Sequence, residues 1–379
     1  MTLAGIDLNA TRVRAVSGPA ACPPRALPLH DTAEDLPLVV SLEGKRPEVG
    51  RAGVALTRRL PHLACGNYLS YLGQPREWVA GRHRLSAAKA LQLVFDQLQP
   101  VRAEAQSVVL ALPPYLSRPQ AAEVHHLASK AKLPMLGSLT VPLAAALTSL
   151  AERSWSGPVL IVDVDDHALT CTALLADNQR VQAQAEQFAP QIGLRVWKDR
   201  LLNGIADRCI RHSRRDPRES GAAEQMLYDQ LDQVMRGCRQ GQVSEVVIQT
   251  GNWYQNMLLR PEDLEGMCAP LVRLALERLR TVLASLADEP PEQVLLTSAA
   301  SRLPGLVAAI HDHVGQRTQV AILSPLAVAS AAHALAGDLH AGKVPVGHFD
   351  VAVPLFRRGP KADVRVAPAD TIRILGAGF

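Results

Sequence analysis

The chain is poor in aromatic residues and has neither paired cysteines nor a long apolar run. Phe, Trp and Tyr make up 4% of its 379 residues, so aliphatic side chains must supply most of the core. The six cysteines show no CxxC spacing and no nearby Cys/His pattern, which argues against a disulfide framework or a zinc site. No window approaches the roughly 18 apolar residues of a membrane span, and the first residues do not resemble a signal peptide. These absences predict a cytoplasmic protein with reduced, mostly buried thiols and no membrane contact.

The charges are nearly balanced. Lys and Arg number 40 against 36 Asp and Glu, which gives a formal net charge of +4. Nucleic-acid binding usually needs basic residues massed on one face, so the balance does not favour a nucleic-acid partner. We interpret the one local basic group as a solvated helix end with its loop; it consists of Arg208, Arg211, Arg214, Arg215 and Arg218.

Strand-like and helix-like segments alternate in the first half of the chain, which is typical of the α/β class. The apolar runs Leu3–Leu8 and Val13–Val16 predict a hairpin at the N-terminus. Ser107–Leu112 predicts a buried strand that two prolines end. Ser117 and Gln120 then have the spacing of a capping box, which predicts the start of a helix.

The second half continues the alternation. A strand pair is predicted across residues 159–175, and a β-like pattern recurs across residues 245–259. Apolar spacing predicts helices at Leu194–His212, Ala222–Cys238, Pro261–Leu286, Pro304–Val314 and Ala327–Ala336. Short buried strands are predicted at Gln293–Thr297 and Thr318–Leu323.

Four segments occur in an order that points to a known family. They are GIDLNATRVRAV, VVLALPPYLSRPQAAEVHHLASKAKLPMLGSLTVPLAAAL, VLIVDVDDHALTCTALL and VLLTSAASRLPGLVAAI. The chain resembles the nucleotide-binding domain of the heat shock protein 70 family, the DnaK-type chaperones, where the corresponding segments read like GIDLGTT, VPAYF followed by INEPTAAA, DLGGGTFDVS and VGGSTRIP. That family belongs to the actin-like ATPase and sugar kinase superfamily. The resemblance covers roughly Leu3 to Ala336.

The resemblance implies a two-lobed actin-like ATPase fold built from duplicated ribonuclease-H-like domains. Lobe I would span residues 1–152, with an inserted subdomain at 36–103. Lobe II would span residues 153–345, with an inserted subdomain at 209–289 and with helix Ala327–Ala336 packing back toward lobe I. Residues 346–379 would form a short tail, and the client-binding β-sandwich of the chaperones is expected to be absent.

The resemblance also implies where a nucleotide would lie, in a cleft between the lobes. Asp7 and Asp163 match the aspartates that hold the metal through water. Two hairpins would grip the phosphates, and a further loop and helix would hold the adenosine. The implied contact residues are Asp7, Asn9, Ala10, Thr11, Asp165, Asp166, His167, Asp232, Arg236, Ser298, Ala299 and Arg302.

The hairpins depart from the family pattern. Family hairpins use glycines because the backbone must approach phosphate closely. Here Asn9 and Ala10 replace the first hairpin's glycine and its neighbour, and the Gly-Gly-Gly-Thr stretch of the second becomes Asp165-Asp166-His167-Ala168. Each additional carboxylate within ~4 Å of a phosphate charge would cost about 4 kcal/mol at an effective dielectric constant near 20. The second hairpin therefore looks rewritten to resist phosphate.

Other family positions have changed as well. Thr170 replaces the later catalytic aspartate, so no catalytic residue is assigned. Further family side chains are replaced by Leu69, Ala121, Val141 and Met235, whereas Pro113, Tyr115 and Pro304 are kept. The sequence thus predicts a noncatalytic or weakly nucleotide-binding module that acts through a protein partner or client. The alternative is an active chaperone-type ATPase, which would use ATP or ADP with magnesium.

Three further hypotheses stay open at this point. Asp163 and Asp165 have the spacing of the nucleophile and acid/base of haloacid-dehalogenase-type phosphatases. Asp163, Asp165, Asp166 and His167 together would suit magnesium or manganese, whereas the triplet His311-Asp312-His313 is read as a solvated helix end. The apolar segment Val351–Phe356 is predicted to pair with a sheet edge or with another copy of the chain, which would allow self-association.

Overall fold

The computed structural model describes residues 1–20, 22–30, 33–177, 179–251, 253–286, 290–355 and 373–375. The strands in this part of the chain are β1 Thr2–Leu8, β2 Arg12–Pro19, β3 Arg25–Ala26, β4 Asp35–Pro37, β5 Val40–Ser41, β6 Glu48–Val49, β7 Ala64–Cys65, β8 Glu77–Ala80, β9 His83–Ser86, β10 Ser107–Leu112, β11 Met135–Thr140, β12 Gly157–Val164, β13 Leu169–Ala176, β14 Arg180–Ala189, β15 Ser244–Thr250, β16 Trp253–Leu259, β17 Gln293–Leu296, β18 Gln319–Leu323, β19 Gly347–Phe349, β20 Ala352–Pro354 and β21 Arg373–Leu375. The helices are α1 Arg51–Val54, α2 Ala87–Gln97, α3 Gln99–Glu104, α4 Arg118–Lys130, α5 Val141–Glu152, α6 Leu194–Ser213, α7 Gly221–Arg239, α8 Pro261–Leu283, α9 Leu306–Val314 and α10 Ala327–His340.

Two large mixed sheets repeat one topology. The first has the order β19-β11-β10-β1-β2-β3, with β4 also paired to β2, and the second has the order β20-β14-β13-β12-β17-β18-β21. In each sheet the leading strand, β1 or β12, lies between an antiparallel hairpin partner and a parallel strand. A helix joins the next two parallel strands, α4 between β10 and β11 and α9 between β17 and β18. The α/β class with a duplicated architecture is thereby confirmed.

Local sequence signals account for several elements. Strands β10 and β12 are apolar runs buried on both faces, as expected for strands in a sheet covered on both sides. The capping box predicted at the start of α4 is present, and the Ser117 backbone N–H donates to Gln120 Oε1 at 3.0 Å. Helix α8 begins at Pro261, a favourable first-turn residue.

A third apolar core lies between the two sheets and joins them. Helices α5 and α10 fill this space, and buried side chains of both sheets pack against them. Helix α10 crosses β1 so closely that a Cβ added to Gly5 would lie 2.0 Å from the carbonyl oxygen of Ala329. Only glycine fits at that point of β1, and the small residues of α10 allow the contact. The bounds of the two lobes and their insertions remain predictions.

The C-terminal strap, defined here as residues 347–354, touches both sheets. Its first strand, β19, pairs in parallel with β11 at the edge of the first sheet. Its second strand, β20, pairs antiparallel with β14 at the edge of the second sheet, where the Ala183 N–H also donates to the Val351 carbonyl at 2.7 Å. The apolar segment predicted to seek a sheet edge thus pairs with this chain's own second sheet, although Phe356 lies outside the described residues.

Some predicted helix ends were wrong by a few residues. Helix α9 begins at Leu306 rather than Pro304 because Gly305 adopts φ +77°, which is not helical. Helix α8 ends at Leu283, three residues before the predicted end, and α10 continues to His340 beyond the predicted Ala336. The predicted strand Gln293–Thr297 ends at Leu296, and Thr297 turns toward the cleft.

Candidate functional site

The first hairpin turn, between β1 and β2, is closed by a side chain where the resembling family has glycine. The Asn9 side-chain oxygen accepts hydrogen bonds from the backbone N–H groups of Thr11 at 3.0 Å and Arg12 at 3.1 Å. An asparagine side chain can imitate a backbone turn in this way. The same amide donates to the Asp7 carboxylate at 3.3 Å. The turn therefore forms without the family glycines.

The second hairpin turn, between β12 and β13, is organised around the Asp165 carboxylate. Its Oδ1 accepts from the backbone N–H groups of His167 at 2.9 Å and Ala168 at 3.0 Å. Its Oδ2 accepts from the backbone N–H of Ala10 at 2.9 Å and from the hydroxyl of Tyr115. Asp165 is 3% exposed. One buried carboxylate thus collects N–H donors from both hairpins.

A reciprocal pair of hydrogen bonds joins the hairpins beside Asp165. The Thr11 hydroxyl donates to Asp166 Oδ1 at 3.1 Å and accepts from the Asp166 backbone N–H at 2.9 Å. These bonds connect residues 155 positions apart in sequence. The two turns that would grip a phosphate between them are therefore bonded directly to each other.

Burial shifts the pKa values of this cluster upward. It raises the pKa of Asp165 to about 7, because the loss of hydration outweighs the hydrogen bonds from Tyr115, Ala168 and Ala10. Burial also raises the pKa of Asp166, against the nearby Lys198 charge. The pKa of Tyr115 is held well above its usual value by burial and by the Asp165 carboxylate, so this hydroxyl stays a donor.

Asp7 and Asp163, the two implied metal positions, lie at one small cavity. Asp163 Oδ1 accepts from the Thr297 hydroxyl at 2.6 Å. Burial raises the pKa of Asp7 to about 6 despite the Arg12 charge, and burial likewise raises the pKa of Asp163. The two carboxylates share the cavity wall with Arg12 and Arg14. Its volume is about 20 Å³, which is room for about one water molecule.

The four-residue metal hypothesis is contradicted. Within the described ranges of the chain, no three His, Cys, Asp or Glu side chains are grouped so that they could hold an ion. Asp165 has both oxygens occupied by N–H and O–H donors. Because these four donors use both Asp165 oxygens, neither oxygen is available for the acid/base role that the phosphatase hypothesis assigns to Asp165. His311 and Asp312 are exposed on the last turns of α9, as the helix-end interpretation predicted.

Two arginines from β2, Arg12 and Arg14, occupy the cleft, although the sequence motifs do not predict them. Arg14 pairs with the Asp35 carboxylate through Nε and Nη2 and donates from Nη1 to the Pro325 carbonyl at 2.9 Å. Arg12 Nε lies 3.7 Å from Asp35 Oδ2. Their positive charges lie beside carboxylates that would face a metal in the resembling family. The alternating positions 12 and 14 of β2 were the available signal, since alternate residues share one face of a strand.

The implied adenosine contacts are brought to the same side of the cleft but differ in exposure. Asp232 and Arg236 are exposed on α7, where Asp232 accepts from Lys198 at 3.0 Å. Ser298 and Ala299 are buried, and Ser298 Oγ accepts from Arg302 at 3.3 Å. Burial and then the charges of Arg12, Arg14 and Arg236 lower the pKa of Arg302 to about 10. Met235, at the position of a family lysine, is 1% exposed, and buried Thr170 faces Asp163 in the strand register.

A second contact, which we name the roof contact, joins residues of the two predicted inserted subdomains through Gln225. Its side-chain oxygen accepts from the backbone N–H groups of Arg58 at 2.7 Å and Arg59 at 3.2 Å. Its amide nitrogen donates to the Val54 carbonyl at 3.0 Å. The Arg58 guanidinium lies 3.5 Å from Glu224 and also pairs with Asp199. These pairs are 141 to 171 residues apart, so sequence patterns gave no sign of them.

Comparison with known proteins identifies the family. The family model described as Hsp70 protein matches residues 85–353, which is more than half of the chain. The chain belongs to the Hsp70 family. The predicted actin-like ATPase fold is confirmed with it, and Hsp70-family domains in general bind ATP or ADP with magnesium and act on protein clients. A search of curated proteins gave no match.

One further observation bears on membranes. Across the described residues, none of the helices is both long and apolar enough to cross a bilayer.

Proposed function

We propose that this Hsp70-family chain is a noncatalytic module that binds no nucleotide and works through protein contacts. One observation carries the proposal: the Asp165 carboxylate already occupies the backbone N–H groups of Ala10, His167 and Ala168. Such hairpin N–H groups are the donors that a phosphate-binding loop offers its ligand. In this chain the Asp165 carboxyl group takes the place of the phosphate as the acceptor of these bonds.

A nucleotide phosphate would have to displace Asp165 without any gain in donors. The displaced carboxylate would remain nearby with Asp166, and each like-charge pair within ~4 Å would cost about 4 kcal/mol at an effective dielectric constant near 20. The ligand would also have to break the reciprocal Thr11–Asp166 bonds. Both effects disfavour the binding of the phosphate groups, the most highly charged part of ATP, so they oppose tight binding.

The residues present do not fit a magnesium-bound nucleotide. Asp7 and Asp163 could supply two oxygen ligands, yet Arg12 and Arg14 line the same cavity of about 20 Å³. The Arg12 charge acts on both carboxylates and opposes the rise of their pKa values. We infer that these guanidinium groups supply the positive charge that a metal would bring to the family's cleft.

The proposed role follows from the closed shape of the cleft. The hairpins are bonded to each other at its floor, and the roof contact joins residues 54–59 to α7. A domain held closed without nucleotide offers partners a fixed surface rather than one that changes with hydrolysis. A protein partner or client, the lobe bounds 1–152 and 153–345, and a cytoplasmic location are parts of this proposal. Self-association through the tail stays a prediction.

Weak nucleotide binding is the second candidate, and one observation favours it. Asp7 and Asp163 remain at one cavity, and Arg302 remains beside Ser298, where an adenosine would lie in the family. A ligand that avoided the hairpin N–H groups would still find these polar groups. The two candidates have the same fold and differ only in the affinity that the chain should show for nucleotide.

Calorimetric titration with ATP, with and without magnesium or manganese, tests the proposal. A folded sample should release no measurable heat of binding up to millimolar nucleotide under either condition. Micromolar, metal-dependent binding would overturn the noncatalytic assignment and restore the ATPase alternative. Millimolar binding that needs no metal would support the second candidate.

A further inference from the structure

A cluster of two histidines and one serine holds the C-terminal strap on the first sheet. Ser138 lies on β11 and is 0% exposed. Its hydroxyl oxygen lies 2.6 Å from Nε2 of His125 on α4 and 2.6 Å from Nδ1 of His348 on β19. The two imidazole rings are 6.4 Å apart, centroid to centroid, and both are half-buried. None of these residues belongs to the nucleotide cleft.

The strap is short, and few bonds other than this cluster secure it. Strand β19 has three residue pairs with β11, Gly137 with Gly347, Ser138 with His348 and Leu139 with Phe349. Strand β20 has three pairs with β14 on the other sheet. Because few ladder positions hold each end, the strap depends on side chains to stay on the first sheet: the His125–Ser138–His348 cluster, the Arg118–Asp350 pair and the packing of Phe349.

The hydrogen-bonding capacity of the serine favours neutral imidazoles. A hydroxyl has one donor and two acceptor sites. With both rings neutral, the hydroxyl donates to one unprotonated ring nitrogen and accepts the N–H of the other ring, so all three groups are satisfied. With both rings protonated, the hydroxyl proton loses its acceptor, and two like charges lie close together in a partly dry site.

Within the described part of the chain, Asp350 and Arg118 are the other charged groups that act on the cluster. Asp350, just beyond β19, favours the charged form of His348, and Arg118 on α4 opposes it; the two pair with each other at 2.6 Å. Strand β11, which carries Ser138, contributes no charged residue. The carboxylate that could stabilise a histidine cation is therefore already paired with an arginine.

We propose that the His125–Ser138–His348 cluster is a pH-sensitive latch, which keeps the strap docked at neutral pH and releases β19 in mildly acidic solution. Burial lowers the pKa of His125 and His348, so the docked strap binds protons less readily than the released one. Docking is then fully favourable above the ordinary histidine pKa near 6.5 and weakens as the pH falls below it. Each unit of pKa lowering corresponds to up to about a tenfold loss in the docking equilibrium.

Hydrogen–deuterium exchange of the whole chain at pH 7.5 and pH 5.5 tests the latch. Protection of the amides of residues 347–349, corrected for intrinsic exchange and compared with the buried strand β10, should fall at pH 5.5, by up to about tenfold for each histidine. The variant His348→Asn keeps an acceptor near the Nδ1 position but removes one of the two titrating rings, so the pH dependence of its protection should be smaller than that of the wild type. The matched control His126→Asn changes an exposed neighbour on α4 and should behave as the wild type.

A wild-type strap equally protected at both pH values would overturn the proposal, and so would a pH response of His348→Asn as large as that of the wild type. Should His348→Asn leave the strap released at both pH values, wild-type NMR decides the matter. Two histidine ring signals must then titrate below pH 6.5 together with strap amide shifts, and separate midpoints would refute the latch.

Discussion

Replacing Asp165 with Asn should change how stability depends on pH. The carboxylate is 3% exposed, and burial raises its pKa to about 7 from an ordinary value of 3.8. A group with a raised folded-state pKa contributes stability that is present at low pH and is lost as the pH rises through that value. Asn cannot ionise, so the variant does not lose stability in this way as the pH rises.

The two pKa values set the size of the effect. Between pH 5 and pH 8, ionisation of Asp165 should lower the free energy of unfolding of the wild type by about 2 to 3 kcal/mol relative to Asp165→Asn. Histidines and other carboxylates titrate in both proteins, so their contributions cancel in the difference. At pH 5 the variant should have a lower free energy of unfolding than the wild type, because Asn offers fewer acceptors to the backbone N–H groups. This difference in free energy between the two proteins should shrink as the pH rises.

Urea unfolding followed by circular dichroism at pH 5, 6, 7 and 8 measures this difference. Asp177→Asn is the matched control, because Asp177 also accepts two backbone N–H bonds but is exposed and has a lowered pKa. Its difference from the wild type should be flat across this range. Burial is expected to outweigh the four hydrogen bonds in setting the pKa of Asp165. This expectation would be refuted if the difference in unfolding free energy between Asp165→Asn and the wild type stayed constant or grew as the pH rose.

Further predictions concern packing and the roof contact. Gly5→Ala should destabilise the protein by about 3 kcal/mol in urea unfolding, because the new Cβ would lie 2.0 Å from the Ala329 carbonyl oxygen. In the control Gly266→Ala on α8, the new Cβ meets nothing within 4 Å, so this variant should be more stable by about 0.5 to 1 kcal/mol. An unaltered midpoint for Gly5→Ala would contradict the close approach of α10 to β1. Gln225→Ala should cost about 2 kcal/mol in the same assay and speed exchange of the Arg58 and Arg59 amides, since both would lose their acceptor. Unchanged exchange at those amides would mean that Gln225 does not hold the roof contact.

The sequence predicted the fold well because fold depends on patterns that survive substitution. The ordered segments around Asp7, Asp163 and Arg302 indicated two repeated halves, and both sheets have the expected hairpin and parallel strands. Buried runs such as Ser107–Leu112 were recognisable from composition alone. Helix ends were less predictable, because they depend on backbone angles such as that of Gly305.

The chemistry of the cleft could be predicted only in part. The sequence predicts that Asp165 and Asp166 repel phosphate, but it does not reveal their hydrogen bonds to Ala10 and Thr11. Those bonds join residues 155 positions apart and form only when the two sheets are assembled. The Arg14–Asp35 pair and the roof contact are long-range in the same sense. The sequence predicts that Val351–Phe356 pairs with a sheet edge or with another copy, whereas the contact of the strap with both sheets depends on where the chain returns.

Calorimetric titration of the double variant Asp165→Gly/Asp166→Gly with ADP and magnesium tests the central claim most directly. Removing both side chains frees the N–H groups of Ala10, His167 and Ala168 and restores glycine at two hairpin positions. We predict measurable binding at nucleotide concentrations where the wild type gives no heat, consistent with the loss of two repulsive charges, whereas the control Asp177→Gly should bind no better than the wild type. A folded double variant that binds no better than the wild type would contradict the claim that Asp165 takes the place of a phosphate.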